Sequence, residues 1–159
     1  MIILGVDPGS INCGYSILEV QKRQIIAAGC GVIKLGNKIS LDKKIDIIYN
    51  KICDVIEEYK PQDIAIESIF FGKNVRSAIV LGHVRGVILL AASQYNLNLY
   101  EYSPREVKRS VVGNGNASKK QVRYMVIKLL DMKVNPKTYD EADALAVALC
   151  HFNKQKLEF

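Results

Sequence analysis

Short apolar runs and helically spaced apolar residues alternate along this chain, and the alternation predicts its elements. Three apolar runs, at residues 2–7, 13–20 and 24–35, predict strands, the last two joined by a polar turn at residues 21–23. Because short connections favour antiparallel neighbours, we expect these three strands to pair antiparallel.

The next segments predict the rest of a sheet. In residues 41–59 the apolar side chains recur at helical spacing, and Pro61 ends that helix. Residues 63–67 predict a short buried strand parallel to the first one, since a crossover helix precedes it, and residues 97–102 predict a fifth strand. The pattern therefore predicts a mixed α/β fold. One five-stranded sheet, with the first three strands antiparallel and the others parallel, carries helices on both faces in a single domain over residues 1–159.

The helix predicted over residues 74–94 is apolar around most of its circumference, which indicates burial on more than one side. Its second side could pack within this chain or against another subunit. Gly82 and Gly86, four residues apart, would allow another helix to approach closely. The pattern alone leaves both options open.

Capping sequences predict the starts of three more helices, each with a hydroxyl residue followed three positions later by Glu or Gln. They are Ser103 to Glu106, Ser118 to Gln121 and Thr138 to Glu141. The last helix has an alanine-rich body and should continue to about Phe152.

The composition fits one globular domain, with 159 residues of which 49% are hydrophobic and 24% charged. No apolar run looks long enough to cross a bilayer and the N-terminus lacks the features of a leader peptide, so we expect a cytoplasmic protein. The four cysteines are too scattered for a zinc site or a disulfide framework, which favours buried thiols in a reducing compartment.

Positive charge is concentrated in one segment. The chain has a formal net charge of +6. Residues 103–137 contain nine Lys or Arg against two acids, so this segment carries +7 and the remainder of the chain −1. A localised excess of this kind indicates a polyanionic partner.

Four carboxylates lie where solvated charge is not expected. Asp7 and Glu67 each end an apolar strand, and the carboxyl ends of parallel strands meet at one edge of a sheet. Asp140 and Asp143, three residues apart, share one face of a helix whose apolar body must lie against that sheet. Each acid alone has an ordinary explanation, as a turn former, a surface residue or a partner of the helix dipole. Together the four predict one cluster.

Such a cluster needs compensating charge from protons, basic side chains or metal ions. All-oxygen ligation suits Mg²⁺ or Mn²⁺ rather than zinc, and two such ions ~4 Å apart would support phosphodiester hydrolysis. Glu101, near the end of the fifth strand, is a further candidate, although the neighbouring Tyr100 and Tyr102 favour a structural role equally.

Six segments match a known family: LGVDPGSINCGYSI, DIAIESIFFGKN, SAIVLGHVRGVILLAA, EYSPREVK, VVGNGNASKKQV and DEADALAVAL. Through them the chain resembles the RuvC-type Holliday-junction resolvases over essentially its full length. The resemblance implies a ribonuclease-H-like fold and a homodimeric, Mg²⁺-dependent endonuclease of DNA recombination and repair. Such an enzyme nicks two opposed strands of a four-way DNA junction symmetrically.

The resemblance also implies site residues. The family's catalytic and metal-binding quartet falls on Asp7, Glu67, Asp140 and Asp143. Two Mg²⁺ ions per site are implied, for which Mn²⁺ could substitute. Asp7 would bridge the ions, Glu67 and Asp140 would each hold one or both, and Asp143 would complete the shell or orient the attacking water.

The family further implies DNA contacts, by base stacking for the aromatic residue and by phosphate contacts for the basic ones. The matching positions are Phe70, Lys73, Arg76, Lys108 and Lys119. The helix over residues 74–94 corresponds to the family's dimer interface, which favours the second subunit as its partner. The family also implies collaboration with the branch-migration motor formed by RuvA and RuvB.

Other functions fit parts of the pattern. A related ribonuclease-H-like nuclease could act on RNA or on other branched or single-stranded nucleic acid. An actin-like ATP-binding domain would need a second glycine-rich phosphate loop and a second lobe, and the sequence has neither. A non-catalytic junction-binding module should lack one of the four acids, and all four are present.

Overall fold

A computed structural model of the chain describes residues 1–22, 24–69, 74–132 and 135–157. The strands and helices follow one another in the order β1 (Ile2–Asp7), β2 (Asn12–Gln21), β3 (Gln24–Lys34), α1 (Leu41–Tyr59), β4 (Asp63–Glu67), α2 (Val75–Gln94), β5 (Asn98–Tyr102), α3 (Pro104–Val112), α4 (Lys119–Leu129), β6 (Asp131–Met132) and α5 (Tyr139–Leu157).

The strands form one sheet in the order β5-β4-β1-β2-β3-β6. β1 pairs antiparallel with β2, and β2 with β3, whereas β4 lies parallel to β1 and β5 parallel to β4. The predicted mixed α/β sheet and its five strands are confirmed. A sixth strand of two residues, β6, adds to the edge at β3 and was not predicted, because two residues are too few to show a period.

Helices cover both faces of the sheet. Alternate side chains of a strand point to opposite faces, so Ile3 of β1 packs with α3, α4 and α5, while Leu4 and Val6 pack with α1 and α2. The predicted helices are all present, and α5 continues to Leu157, beyond the expected end near Phe152.

Helix α5 lies unusually close to β1 and β2 because small residues line the strands beneath it. A methyl group added at Gly5 would lie 2.4 Å from the carbonyl oxygen of Ala144, and one at Gly14 would lie 2.1 Å from that of Asp140. The hydroxyl of Ser16 donates to the same Ala144 carbonyl over 2.9 Å. These contacts fix the first turns of α5 against the strands that end at the candidate site.

A buried polar chain holds the other end of α5. His151 is fully buried, with Nε2 3.0 Å from Oδ2 of Asp63 and Nδ1 2.8 Å from the hydroxyl of Tyr102. The side-chain amide of Asn98 donates to the second oxygen of Asp63 over 2.9 Å. Because buried polar groups are costly when unpaired, these hydrogen bonds specify the position of α5 on β4 and β5.

Helix α2 bears on the two packing options that the sequence left open, and it corrects one expectation. Within this chain it is buried on one side only, at Val84, Ile88 and Ala91, while Val75 and Leu90 are 70% and 52% exposed. By length and composition it could also cross a membrane, so the expectation that no apolar run is long enough was wrong. The helix is apolar all round because the face opposite the core also carries apolar residues. That face is exposed in a single copy of the chain.

Candidate active site

Three of the four predicted acids line one cavity at the carboxyl edge of the sheet. Val6 pairs with Ile66 in the parallel β1–β4 ladder, so Asp7 and Glu67, one residue further, end neighbouring strands side by side. The first turns of α5 bring Asp143 to the same cavity of about 270 Å³. Its walls also contain Lys108 and Lys119.

The carboxyl groups of this cavity repel one another in a partly desolvated place. Burial, together with the charges of Glu67, Asp143 and Asp140, raises the pKa of Asp7 to about 8. Burial and the charge of Asp143 raise the pKa of Glu67 to about 7. The site therefore carries more negative charge than its own protein environment neutralises.

Asp140 lies beside the cavity rather than in its wall. It is half-buried in the first turn of α5, and its charge raises the pKa of both Asp7 and Asp143. The cap of α5 explains its placement: Thr138 accepts from the backbone N–H of Glu141, whose carboxylate accepts from the N–H of Thr138. The structure thus brings the four acids together with unequal access to the cavity.

Lys119 supplies part of the missing positive charge. Its ammonium nitrogen lies 3.1 Å from Oδ2 of Asp143, with the lysine side chain 63% exposed and the aspartate 16%. Burial raises the pKa of Asp143 and outweighs the opposing effect of Lys119. For Lys119 itself, burial would lower the pKa, but the hydrogen bond and charge of Asp143 and the charges of Asp7 and Asp140 raise it.

The cavity's donor set fits a hard cation, since carboxylate oxygens are the ligands that Mg²⁺ and Mn²⁺ prefer. Among the described residues, however, no three acid, histidine or cysteine side chains already stand in a metal-binding arrangement. The Lys119–Asp143 pair is one reason for the lack of such an arrangement, because the carboxylate of Asp143 faces the ammonium group of Lys119. Metal binding at this site would require the acids to reorient.

The remaining sequence candidates have different places. Glu101 pairs with Arg85 of α2 outside the cavity, so it has the structural role that was one of its two readings. Arg76 is exposed in the first turn of α2 and does not line the acid cavity. Phe70 and Lys73 lie outside the described residues. The sequence reading missed Gly5, Gly14 and Ser16, although small residues under a predicted alanine-rich helix are a recognisable signal of close packing.

Comparison with known proteins gives the family. The family described as "Crossover junction endodeoxyribonuclease RuvC" matches residues 3–151 of this chain. The chain belongs to the RuvC family. Membership makes it an endonuclease of the crossover-junction class, as the six matching segments suggested, and favours this function over an actin-like ATP-binding domain.

Individual RuvC proteins agree over nearly the whole chain. The crossover junction endodeoxyribonuclease RuvC of Natranaerobius thermophilus is 42% identical over 157 residues, covering 99% of this chain and 98% of that relative. The RuvC of Chloroherpeton thalassium is 46% identical over 158 residues, covering 99% and 85%.

A solved RuvC structure also superimposes on this fold. The structure of Thermus thermophilus RuvC in complex with a Holliday junction substrate has a TM-score of 0.91 at 28% identity, covering 99% of this chain and 96% of the other. The expected resolvase fold is therefore confirmed.

Proposed function

We propose that this chain resolves four-way DNA junctions by metal-assisted hydrolysis of phosphodiester bonds at the acid cavity. One observation carries the proposal: Asp7, Glu67 and Asp143, from distant parts of the sequence, meet in a single cavity with Lys108 and Lys119. Carboxylates without full compensation beside lysines suit a site that receives cations and a phosphate together.

Divalent cations would provide the compensation that the protein lacks. We infer two Mg²⁺ ions, replaceable by Mn²⁺, held by Asp7, Glu67, Asp140 and Asp143. Bound there, the ions would supply an activated water and stabilise the leaving oxygen. The chain's own part would be to bring the four carboxylates to one edge of the sheet, and the β1–β4 ladder and the docking of α5 support this role.

The lysines of the cavity would hold the substrate. Lys108 and Lys119 stand in the same wall as the acids, where they would contact the phosphates on either side of the cut. Lys119 would have to leave Asp143 for a phosphate oxygen, which would free that carboxylate for its role. In the family, Phe70 and Lys73 would contribute a stacked base and a further phosphate contact.

The uncovered face of α2 supports a homodimer. Ile79, Gly82, Gly86 and Leu90 line a groove of about 590 Å³ on that face. A methyl group added at either glycine would meet nothing within 4 Å in the same chain, so there is space for a helix of a second copy. Two sites related by a twofold axis suit a junction with near-twofold symmetry, and paired nicks would follow.

The cellular setting follows from the same family. A symmetric junction cutter would act in the cytoplasm, in recombination and repair, together with the RuvA–RuvB branch-migration motor. Pairing through α2 in a dimer would cover this helix, which by length and composition is the one among the described residues that could span a membrane.

A cleavage assay tests the proposed function. Wild-type protein in Mg²⁺ should nick opposed strands of a labelled mobile four-way junction and leave linear duplex, single-stranded DNA and RNA uncut. Asp7→Asn should bind the junction as tightly and cut it about 10³-fold more slowly, since one of the proposed metal ligands would be lost.

Two results would contradict the proposal. Preferential cutting of RNA or single strands would instead support the related ribonuclease-H-like nuclease. Wild-type cutting rates in Asp7→Asn would remove the acid cavity from the reaction.

A further inference from the structure

A second cavity lies at the same edge of the sheet as the acids, on the opposite face. It has a volume of about 510 Å³ and is enclosed by the loop after β1, the loop before α1 and the first turns of α1 and α2. The described side chains that line it are basic, hydroxyl, amide or apolar, and none of these is acidic. The polar residues among them are Ser10, Asn37, Ser40, Lys44, Arg76 and Ser77.

Lys44 is the unusual residue of this cavity. It is only 8% exposed, and its ammonium nitrogen donates to the backbone carbonyl of Ser10 over 2.8 Å. Across the described residues, no carboxylate forms a salt bridge with Lys44 or with Arg76 on the facing wall. A buried ammonium group held by one carbonyl dipole lacks a counter-charge, and burial of charge is costly until one is supplied.

The cationic character comes from side chains rather than from helix ends. Asn74 already accepts from the N–H of Ser77 at the start of α2. At the start of α1, the exposed carboxylate of Asp42 is hydrogen-bonded by Ser40 and by backbone N–H groups, which lowers its pKa. Both helix termini are therefore occupied, and the available donors are Lys44, Arg76 and the neutral groups of Ser10, Asn37 and Ser77.

The position of the cavity relates it to the cut. Ser10 is three residues after Asp7 in the same loop, so their Cα atoms are at most about 11 Å apart. A strand whose phosphate sits among the acids on the α5 side would continue over the sheet edge towards the α1–α2 side. The two cavities are thus within a few nucleotides of each other.

We propose that this cavity is a second phosphate subsite, in which Lys44 and Arg76 together hold one backbone phosphodiester of the strand being cut. The inference rests on the proposed function, because it requires a nucleic-acid strand at the acid cavity. Its role is to set the register of the strand without reading its bases.

Salt-dependent binding tests the subsite. Affinity for a labelled four-way junction is measured without divalent metal, across a salt series, for wild type, Lys44→Met, Lys44→Arg and Lys43→Met. For each of the two subsites in the proposed dimer, Lys44→Met should weaken binding about fivefold and make the log–log salt slope shallower by about 0.9, as expected for one lost phosphate contact. Lys44→Arg should keep the wild-type slope. Lys43→Met removes the same charge from an exposed neighbour and should also keep it.

A wild-type slope in folded Lys44→Met would overturn the subsite. If Lys44→Met does not fold, junctions with one neutral methylphosphonate linkage decide the matter. At one position other than the scissile one, the neutral linkage should reduce the salt slope of wild-type binding by about 0.9. The same linkage should leave the salt slope of Arg76→Gln unchanged, because that variant has already lost the contact. Arg76 is exposed, so this variant should fold. If no linkage position shows this behaviour, the subsite is contradicted.

Failure of the subsite is distinguishable from failure of the proposed function. Lys43→Met, which lines neither cavity, should cut the junction at the wild-type rate, so a wild-type salt slope in Lys44→Met beside normal cutting by wild type would overturn the subsite alone. Wild-type protein that does not cut junctions would contradict the proposed function, while the salt slope would still report the phosphate contacts.

Discussion

Asp7 is the carboxylate of the site whose pKa is raised by burial and by the charges of three neighbouring acids. It ends a strand in which residues 3–6 are buried, and its own burial, with the charges of Glu67, Asp143 and Asp140, raises its pKa to about 8. Lys119 lowers that pKa but is itself held by Asp143 and mostly exposed. A carboxylate in this position lowers the stability of the metal-free protein, which is the trade-off expected if it serves in catalysis.

Asp7→Asn should therefore stabilise the metal-free protein. At pH 8.5 and without divalent ions, the substitution removes a desolvated charge and three repulsions, and Tm should rise by about 2–4 °C for each kcal/mol gained. Thermal unfolding followed by circular dichroism provides the measurement. Asp46→Asn is the matched control and should leave Tm nearly unchanged, because Asp46 is exposed and accepts a hydrogen bond from Asn50 in the same helix. A lower Tm for Asp7→Asn would contradict the repulsion argument.

At the scale of elements, α3 and α5 are joined by a capping box that has a second function. Glu106 accepts from the backbone N–H and the hydroxyl of Ser103 over 2.9 and 2.8 Å, and its other oxygen accepts from Lys154 of α5 over 2.7 Å. The hydrogen bond from Lys154 and those from Ser103 lower the pKa of Glu106 to about 2. The box thus connects the helix that carries Lys108 to the helix that carries Asp143.

Glu106→Gln should remove the part of the free energy of unfolding that depends on the ionisation of Glu106. A depressed pKa in the folded state means that the stabilisation is complete above the usual value of 4.5 and is lost as pH falls towards 2. At pH 7 the variant should be less stable by about 1 kcal/mol, after allowance for the screening of this half-exposed pair.

Urea unfolding at pH 7, 5 and 3 measures the difference between Glu106→Gln and wild type. The two should converge towards the lowest pH. A difference that stays constant across the series would show that the carboxylate charge contributes nothing.

At the scale of the whole molecule, the acid cavity and the apolar groove of α2 lie on opposite sides of the sheet. The basic segment, residues 103–137, forms the side of the sheet that carries the acid cavity, through α3 and α4. The apolar groove of α2 lies with α1 on the other side, with Ile79 and Leu90 54% and 52% exposed. Separation of the two surfaces would let a dimer form without covering either active site.

Leu90→Glu should convert the proposed dimer to a monomer that still folds, because Leu90 is half-exposed in one copy and a charge in the groove would oppose association. Sedimentation equilibrium measures the mass, and the monomer should lose paired nicking. Leu129→Glu on α4, where the leucine is 47% exposed, is the matched control and should remain dimeric. Leu90→Glu that remains dimeric would contradict the α2 interface.

The sequence alone determined five of the six strands, the starts of the helices and the edge at which the acids meet. Strand and helix periods, the capping boxes at Ser103, Ser118 and Thr138, and Pro61 after α1 are local signals, and local signals depend on few neighbours. The placement of Asp7 and Glu67 followed from the parallel direction of β1 and β4, which a crossover connection imposes.

Only the tertiary structure decided how deeply the acids are buried and what pairs with them. The approach of α5 at Gly5 and Gly14, the Lys119–Asp143 pair and the uncovered side of α2 all depend on contacts between segments far apart in the chain. A sequence pattern records which residues avoid water, but it does not record the distances between them. Those distances come from packing, which every segment of the domain determines jointly.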